Sequence, residues 1–129
     1  MKMIRISILA IGTVVACGFY AGEAAAADWI AIAATHWKDG GGTAHSAIGY
    51  SGIRHSEDEA GASALAACRS SGGVGCKVLG AWDSGCIYIT SGGSSEKAGY
   101  GAGGSVEQAL SNCRGEGLVC RQPVGGCIE

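Results

Sequence analysis

The sequence predicts an α+β fold: a duplicated β-β-α-β unit forming one small, disulfide-stapled domain. Three observations carry that prediction. Ala64-Leu65-Ala66-Ala67-Cys68-Arg69 recurs as Ala109-Leu110-Ser111-Asn112-Cys113-Arg114, and other short matches keep the same order around it. Each copy of this stretch has helical apolar spacing and a capping signature upstream, with strand-like runs on both sides. Six cysteines come after an apolar leader, an even count in a chain too poor in large apolar residues to rely on its core.

The first segment is a targeting signal rather than part of the fold. Lys2 and Arg5 precede an apolar stretch from Ile6 to Gly22, and Ala24 to Ala27 offer an A-x-A site, so residues 1–27 are expected to be a signal peptide cleaved before Asp28. The stretch lies near the lower edge of the ~17–25 residues a spanning helix needs, so no membrane span is expected after cleavage. Val14-Val15-Ala16-Cys17 is a loose lipobox, which leaves a lipoprotein anchored through Cys17 as the minor alternative. Residues 28–129 then form a single domain of two repeats, about 28–85 and 86–129.

The elements come in order. Trp29 to Thr35 reads as a short apolar strand, Lys38 to Gly42 as a turn and Ala44 to Tyr50 as the returning strand. Ser56 and Glu59 form an S-x-x-E capping box that opens a helix. Ala60, Ala64, Leu65 and Cys68 make its buried stripe, and it stops near Ser70–Gly72. Cys76 to Trp82 is a third strand. The second unit repeats the order: a strand over Cys86 to Thr90, a turn over Ser91 to Ser95 and a strand over Lys97 to Gly101. Ser105 and Gln108 cap a helix to about Arg114, and Cys120 to Val124 is the last strand. Further matches pair Gly49-Tyr50 with Gly99-Tyr100, Cys76-Lys77 with Cys120-Arg121, and Gly85-Cys86-Ile87 with Gly126-Cys127-Ile128. Trp29-Ile30-Ala31-Ile32 matches Cys86-Ile87-Tyr88-Ile89.

The repeat constrains the cysteine pairing. A helix-end cysteine precedes a strand-start cysteine in each unit, giving Cys68–Cys76 and Cys113–Cys120. Cys86 and Cys127 remain, and pseudo-symmetry pairs them as a bridge between units. Loop-closure entropy assigns ~2.5 kcal/mol to each short loop and ~4 kcal/mol to the long one.

Composition excludes several function classes. The formal charge is −2 and only 16% of residues are charged, which argues against a nucleic-acid binder. Gly99-Tyr100-Gly101-Ala102-Gly103-Gly104 contains a literal G-x-G-x-x-G ahead of a helix. In a chain with 24 Gly such a match arises by chance, and the chain beyond Gly104 is too short for a mononucleotide-binding half. His36, His45 and His55 lack ligand spacing, so no metal site is expected, and no cofactor. There is no G-x-S-x-G and no C-x-x-C, and the acidic Glu57, Asp58 and Glu59 suit a helix's first turn. The chain therefore reads as a non-enzyme. Among Trp29, Trp37 and Trp82, the first and last belong to core strands, whereas Trp37 stands beside Gly40, Gly41 and Gly42. Trp37 and these three glycines are the candidate binding residues.

Trp29-Ile30-Ala31-Ile32-Ala33, the A-x-A-L-x-x-C stretch through Ala64, Leu65 and Cys68, and its second copy at Ala109, Leu110 and Cys113 resemble the bacterial secreted domain-of-unknown-function 4189 family. Ile30 stands where that family has Gly in its W-G-A-I-A strand. The resemblance implies an exported protein, secreted or periplasmic, and carries no catalytic residues. The expected function is an exported non-enzymatic interaction module that contacts an unknown protein partner or an envelope component. An inhibitor or immunity-type protein blocking an enzyme is the alternative, and a hydrolase the third.

Overall fold

A computed structural model describes residues 27–129; residues 1–26, which include Cys17 and all but the last residue of the expected signal peptide, lie outside the described residues. Along them run β1 (Ile30–Lys38), β2 (Ala44–Tyr50), α1 (Glu57–Ser70), β3 (Lys77–Trp82), β4 (Gly85–Gly93), β5 (Ala98–Gly103), α2 (Val106–Gly115), β6 (Val119–Cys120) and β7 (Val124–Ile128). The fold is α+β. One antiparallel sheet has the order β2-β1-β3; the other has the order β5-β4-β6, with β7 also paired to β4.

The two sheets pack face to face, and each carries one helix on its outer face. β1 accounts for this layering. Its residues from Ile30 to Thr35 are all buried, because a central strand covered on both faces has no solvent side. Ile30, Ile32 and Ala34 point to the second sheet, where they meet Ile87, Ile89 and Ile128. Ala31 and Ala33 point the other way and pack with Ala47 against Ala60, Ala64 and Cys68 of α1. Full burial of one isoleucine is worth ~1.5–3 kcal/mol. The inter-sheet layer therefore carries the larger side chains, and the helix layer carries small ones that permit close approach. Ile30 is fully buried between the sheets.

Glycine makes that approach possible in both helix layers. A Cβ on Gly49 would collide with the Ala64 carbonyl and the Cys68 amide; one on Gly101 would collide with the Ala109 carbonyl and the Cys113 amide. In β5 the alternation Gly99-Tyr100-Gly101-Ala102-Gly103 puts the three glycines against Leu118, α2 and Gln108. Tyr100 and Ala102 join the inter-sheet cluster. The G-x-G-x-x-G string, all but its last glycine, is thus a strand whose bare face receives a helix.

Both helices begin as their capping residues specify. The Ser56 hydroxyl accepts from the Glu59 amide and the Ser105 hydroxyl from the Gln108 amide, each at 3.1 Å. The reciprocal bonds reach one residue further back: Glu59 accepts from the His55 amide at 3.3 Å and Gln108 from the Gly104 amide at 2.7 Å.

The disulfides are Cys68–Cys76, Cys86–Cys127 and Cys113–Cys120. The pairing matches the expectation, but one reason for it does not. Cys86 and Cys127 face each other across β4 and β7, so their bond closes the second sheet rather than joining two units.

Other expectations are corrected. The strand expected over Cys120 to Val124 is two strands, β6 and β7, parted at Arg121-Gln122-Pro123. Pro123 has no N–H for a ladder. The detached chain is held instead by the Arg121 amide on the Ser91 carbonyl at 2.9 Å and by the Thr90 hydroxyl on the Arg121 carbonyl at 2.6 Å. β1 runs on to Lys38 and β4 to Gly93, so the turns start later than expected. Serine and glycine at Ser91 and Gly92 signal a turn in the sequence, yet Gly92 is a strand position pressed against Val119 and Cys113. Gly49 corresponds by helix contact to Gly101, not to Gly99: Gly49 lies opposite Ala33 and Gly101 opposite Thr90.

Candidate functional site

The tip of the β1–β2 hairpin holds the candidate residues. Trp37 lies opposite His45 in the β1–β2 register, so both side chains leave the same face. Their rings stack with centroids 5.3 Å apart and planes 24° from parallel. Trp37 is half-buried, its inner part packed on the alanine layer and its outer part open.

Asp39 organises the turn. One carboxylate oxygen accepts from the amides of Gly41 at 2.8 Å and Thr43 at 3.0 Å. The other is 2.8 Å from His45 Nε2. The hydrogen bonds from His45 and the Thr43 amide hold the Asp39 carboxyl below its ordinary value, outweighing the opposing effect of desolvation, and the Gly41 amide adds to the lowering. Gly42 has φ +83°, a left-handed conformation that closes the turn, and its amide donates to the Asp39 carbonyl at 2.9 Å. Gly40 and Gly41 are exposed at the tip, and a Cβ on Gly40 would meet nothing within 4 Å. The tip is therefore a braced turn carrying an aromatic–imidazole stack, with Asp39 as the brace.

The structure brings Trp37, Gly40, Gly41 and Gly42 together at one end of the molecule, as their closeness in sequence requires. It also adds neighbours that sequence reasoning missed. The β4–β5 turn lies alongside, pinned by the Ser94 amide on the Lys97 carbonyl at 2.8 Å. Between the two tips is a hollow of about 500 Å³ walled by Trp37, His36, Lys38, Glu96 and Lys97. His36 faces the second sheet, its ring 6.3 Å from that of Tyr100. Beside the hollow, a groove of about 420 Å³ runs past His45, Ser46, Ser91 and Arg121. The signal for these neighbours was the similar placement of the two hairpins, since each unit's turn comes after its first strand.

The other two histidines do not join the stack. His55 sits near the start of α1, with Nδ1 3.8 Å from Asp28. No cluster of three or more His, Cys, Asp or Glu side chains suited to a metal occurs among the described residues. Among the same residues, no helix is long and apolar enough to cross a membrane.

A protein family described as Domain of unknown function (DUF4189) matches the chain over residues 29–122. No curated protein matches it, and no solved structure matches it.

Proposed function

The chain belongs to the DUF4189 family, and on that premise we propose that it is an exported, disulfide-stapled interaction module that works by contact rather than by turnover. Its contact surface is the β1–β2 tip, and the partner is a protein or an envelope component. The observation that supports this most is the half-open Trp37 stacked on a histidine that Asp39 holds in place. A fixed aromatic loses little conformational entropy on binding, and aromatic anchors on rigid supports dominate interface energetics. Three disulfides support an oxidising compartment outside the cytoplasm. The leader motif supports export by cleavage before Asp28. The equivalent strand pairings, Ile30 with Trp82 and Ile87 with Gly126, and then Ile32 with Gly80 and Ile89 with Val124, support an internal duplication.

The test is partner capture from envelope and extracellular extracts with the wild-type protein and with Trp37→Ala. Loss of the captured partner at a nearly unchanged melting temperature is the expected result. A destabilisation of ~3–5 kcal/mol would instead make Trp37 a core residue. Unaltered capture by the variant would move the contact surface elsewhere.

A further inference from the structure

The first sheet ends in an open edge beside a polar groove. β2 is paired to β1 alone. The Asp39 amide donates to the Thr43 carbonyl and the Ser51 amide to the Ala31 carbonyl, each at 3.0 Å. In the β1–β2 register this alternation bonds His45, Ala47 and Gly49 to β1 and turns the N–H and C=O of Ala44, Ser46 and Ile48 outwards. β2 has no Lys, no Pro and no register step, features that ordinarily blunt an edge. Two other edges are altered. β3 steps its register between Val78 and Gly80, and in β5 the Ala102 carbonyl accepts from Asn112 Nδ2 at 2.6 Å.

Beyond this edge the inner face of the second sheet is open. β2 packs over β4 and β5, whereas β6 pairs on the far side of β4 from β5. Cys120 turns towards α2 through its disulfide with Cys113. Val119 and Arg121 therefore share the other face, the one that Ser91 shares with Ile87 and Ile89. Val119 is 82% exposed. The Arg121 amide on the Ser91 carbonyl sets those two residues side by side. The groove, about 420 Å³, has Ala44 and Ser46 on one wall, Val119 and Arg121 on the other, and Ser91 and Gly93 between them.

The chemistry of the groove selects its occupant. Among the described residues its lining has no carboxylate. Ser91 is 9% exposed, and its hydroxyl has no hydrogen-bond partner among those residues. The ion pairs there are His45–Asp39 and His55–Asp28, so Arg121 has no carboxylate of its own. A strand laid along β2 bonds to the outward N–H and C=O groups and turns every second side chain onto the groove floor. Val119 and Arg121 are spaced to match that period. A carboxylate fits beside Arg121 and Ser91, and an apolar side chain fits on Val119. β2 itself has no acidic residue, so the same edge of a second copy supplies no such carboxylate.

We propose that the β2 edge binds an extended segment of a partner protein as an added strand, whose inward side chains alternate a carboxylate, held by Arg121 and the Ser91 hydroxyl, with an apolar group on Val119. The site lies on the other face of the first sheet from the Trp37–His45 stack and does not depend on that stack.

Fluorescence anisotropy of the oxidised protein with a labelled, capped hexapeptide Thr-Val-Thr-Glu-Thr-Val tests the proposal. The peptide should bind, and its counterpart with Gln in place of Glu should bind at least about ten-fold more weakly. Arg121→Glu should lose the Glu peptide and gain the matching Lys peptide. Val119→Ser should weaken binding of the Glu peptide, and Trp37→Ala should leave it unchanged. Amide exchange followed by NMR should show Ser46 and Ile48 protected when the peptide is bound. No binding at millimolar peptide, equal binding of the Glu and Gln peptides, a folded Trp37→Ala that no longer binds, or Ser46 and Ile48 amides left unprotected would each overturn the proposal. Protection of those amides without peptide, together with a doubled mass, would overturn it in favour of a second copy on the edge.

Discussion

Gly40 and Gly42 sit two residues apart in one turn and have different requirements. Gly42 is left-handed at φ +83°, whereas a Cβ on Gly40 would point into open space. Gly42→Ala should cost ~1–2 kcal/mol in denaturant unfolding, and Gly40→Ala should leave the midpoint within a few tenths of a molar of wild type. Asp39 makes a second prediction. Its carboxyl is held below the ordinary value, first by the His45 hydrogen bond and then by the Thr43 amide. A depressed carboxyl contributes to stability fully above its ordinary pKa of 3.8, and loses that contribution as the pH falls through the lowered value. Carboxyl-selective NMR titration should show the Asp39 midpoint move back up in His45→Ala; an unmoved midpoint would remove His45 as the cause. Trp37 was legible as a tip residue because it adjoins three glycines. Its stacking partner was not, since the cross-strand pairing with His45 depends on a register that a run of small residues leaves open.

At the scale of elements, both helix seats rest on a missing side chain. Gly49→Ala and Gly101→Ala should each destabilise by ~1–3 kcal/mol or more, because a backbone carbonyl and amide occupy the space and neither can rotate away. Thermal melts of the two variants check this; a neutral effect at either site would mean that its helix can lift from the sheet. The staples also differ by element. Cys68 and Cys113 are fully buried helix residues, whereas Cys86 and Cys127 are exposed on neighbouring strands. Limiting dithiothreitol should therefore open Cys86–Cys127 first, read by alkylation and peptide mass mapping. Equal labelling of all three pairs would contradict that ranking. The helices were legible almost to the residue, because Ser56 with Glu59 and Ser105 with Gln108 are local signals. The end of β4 and the break between β6 and β7 were not. They depend on what Gly92 and Thr90 touch across the sheet, and only the composition of those positions can be seen in sequence.

At the scale of the whole molecule, two sheets share one isoleucine-rich layer, and each carries its helix on small residues. The α+β class was readable from the recurring helix and flanking strands, but the face-to-face layering was not. It depends on which face of β1 meets which partner, and β1 is apolar on both. With so thin a core, cross-links are expected to supply much of the stability: a domain of this size with so few large apolar residues is marginal without them. Export and oxidation are therefore the premise of the functional reading, since the braced tip needs a stapled scaffold behind it. Mass analysis of the exported protein, intact and after digestion without reduction, tests that premise most directly. The predicted chain begins at Asp28, has no free thiol and yields cross-linked peptides joining Cys68 to Cys76, Cys86 to Cys127 and Cys113 to Cys120. A chain that keeps its leader in a reducing compartment, or a folded protein with free thiols or a Cys76–Cys86 link, would contradict it.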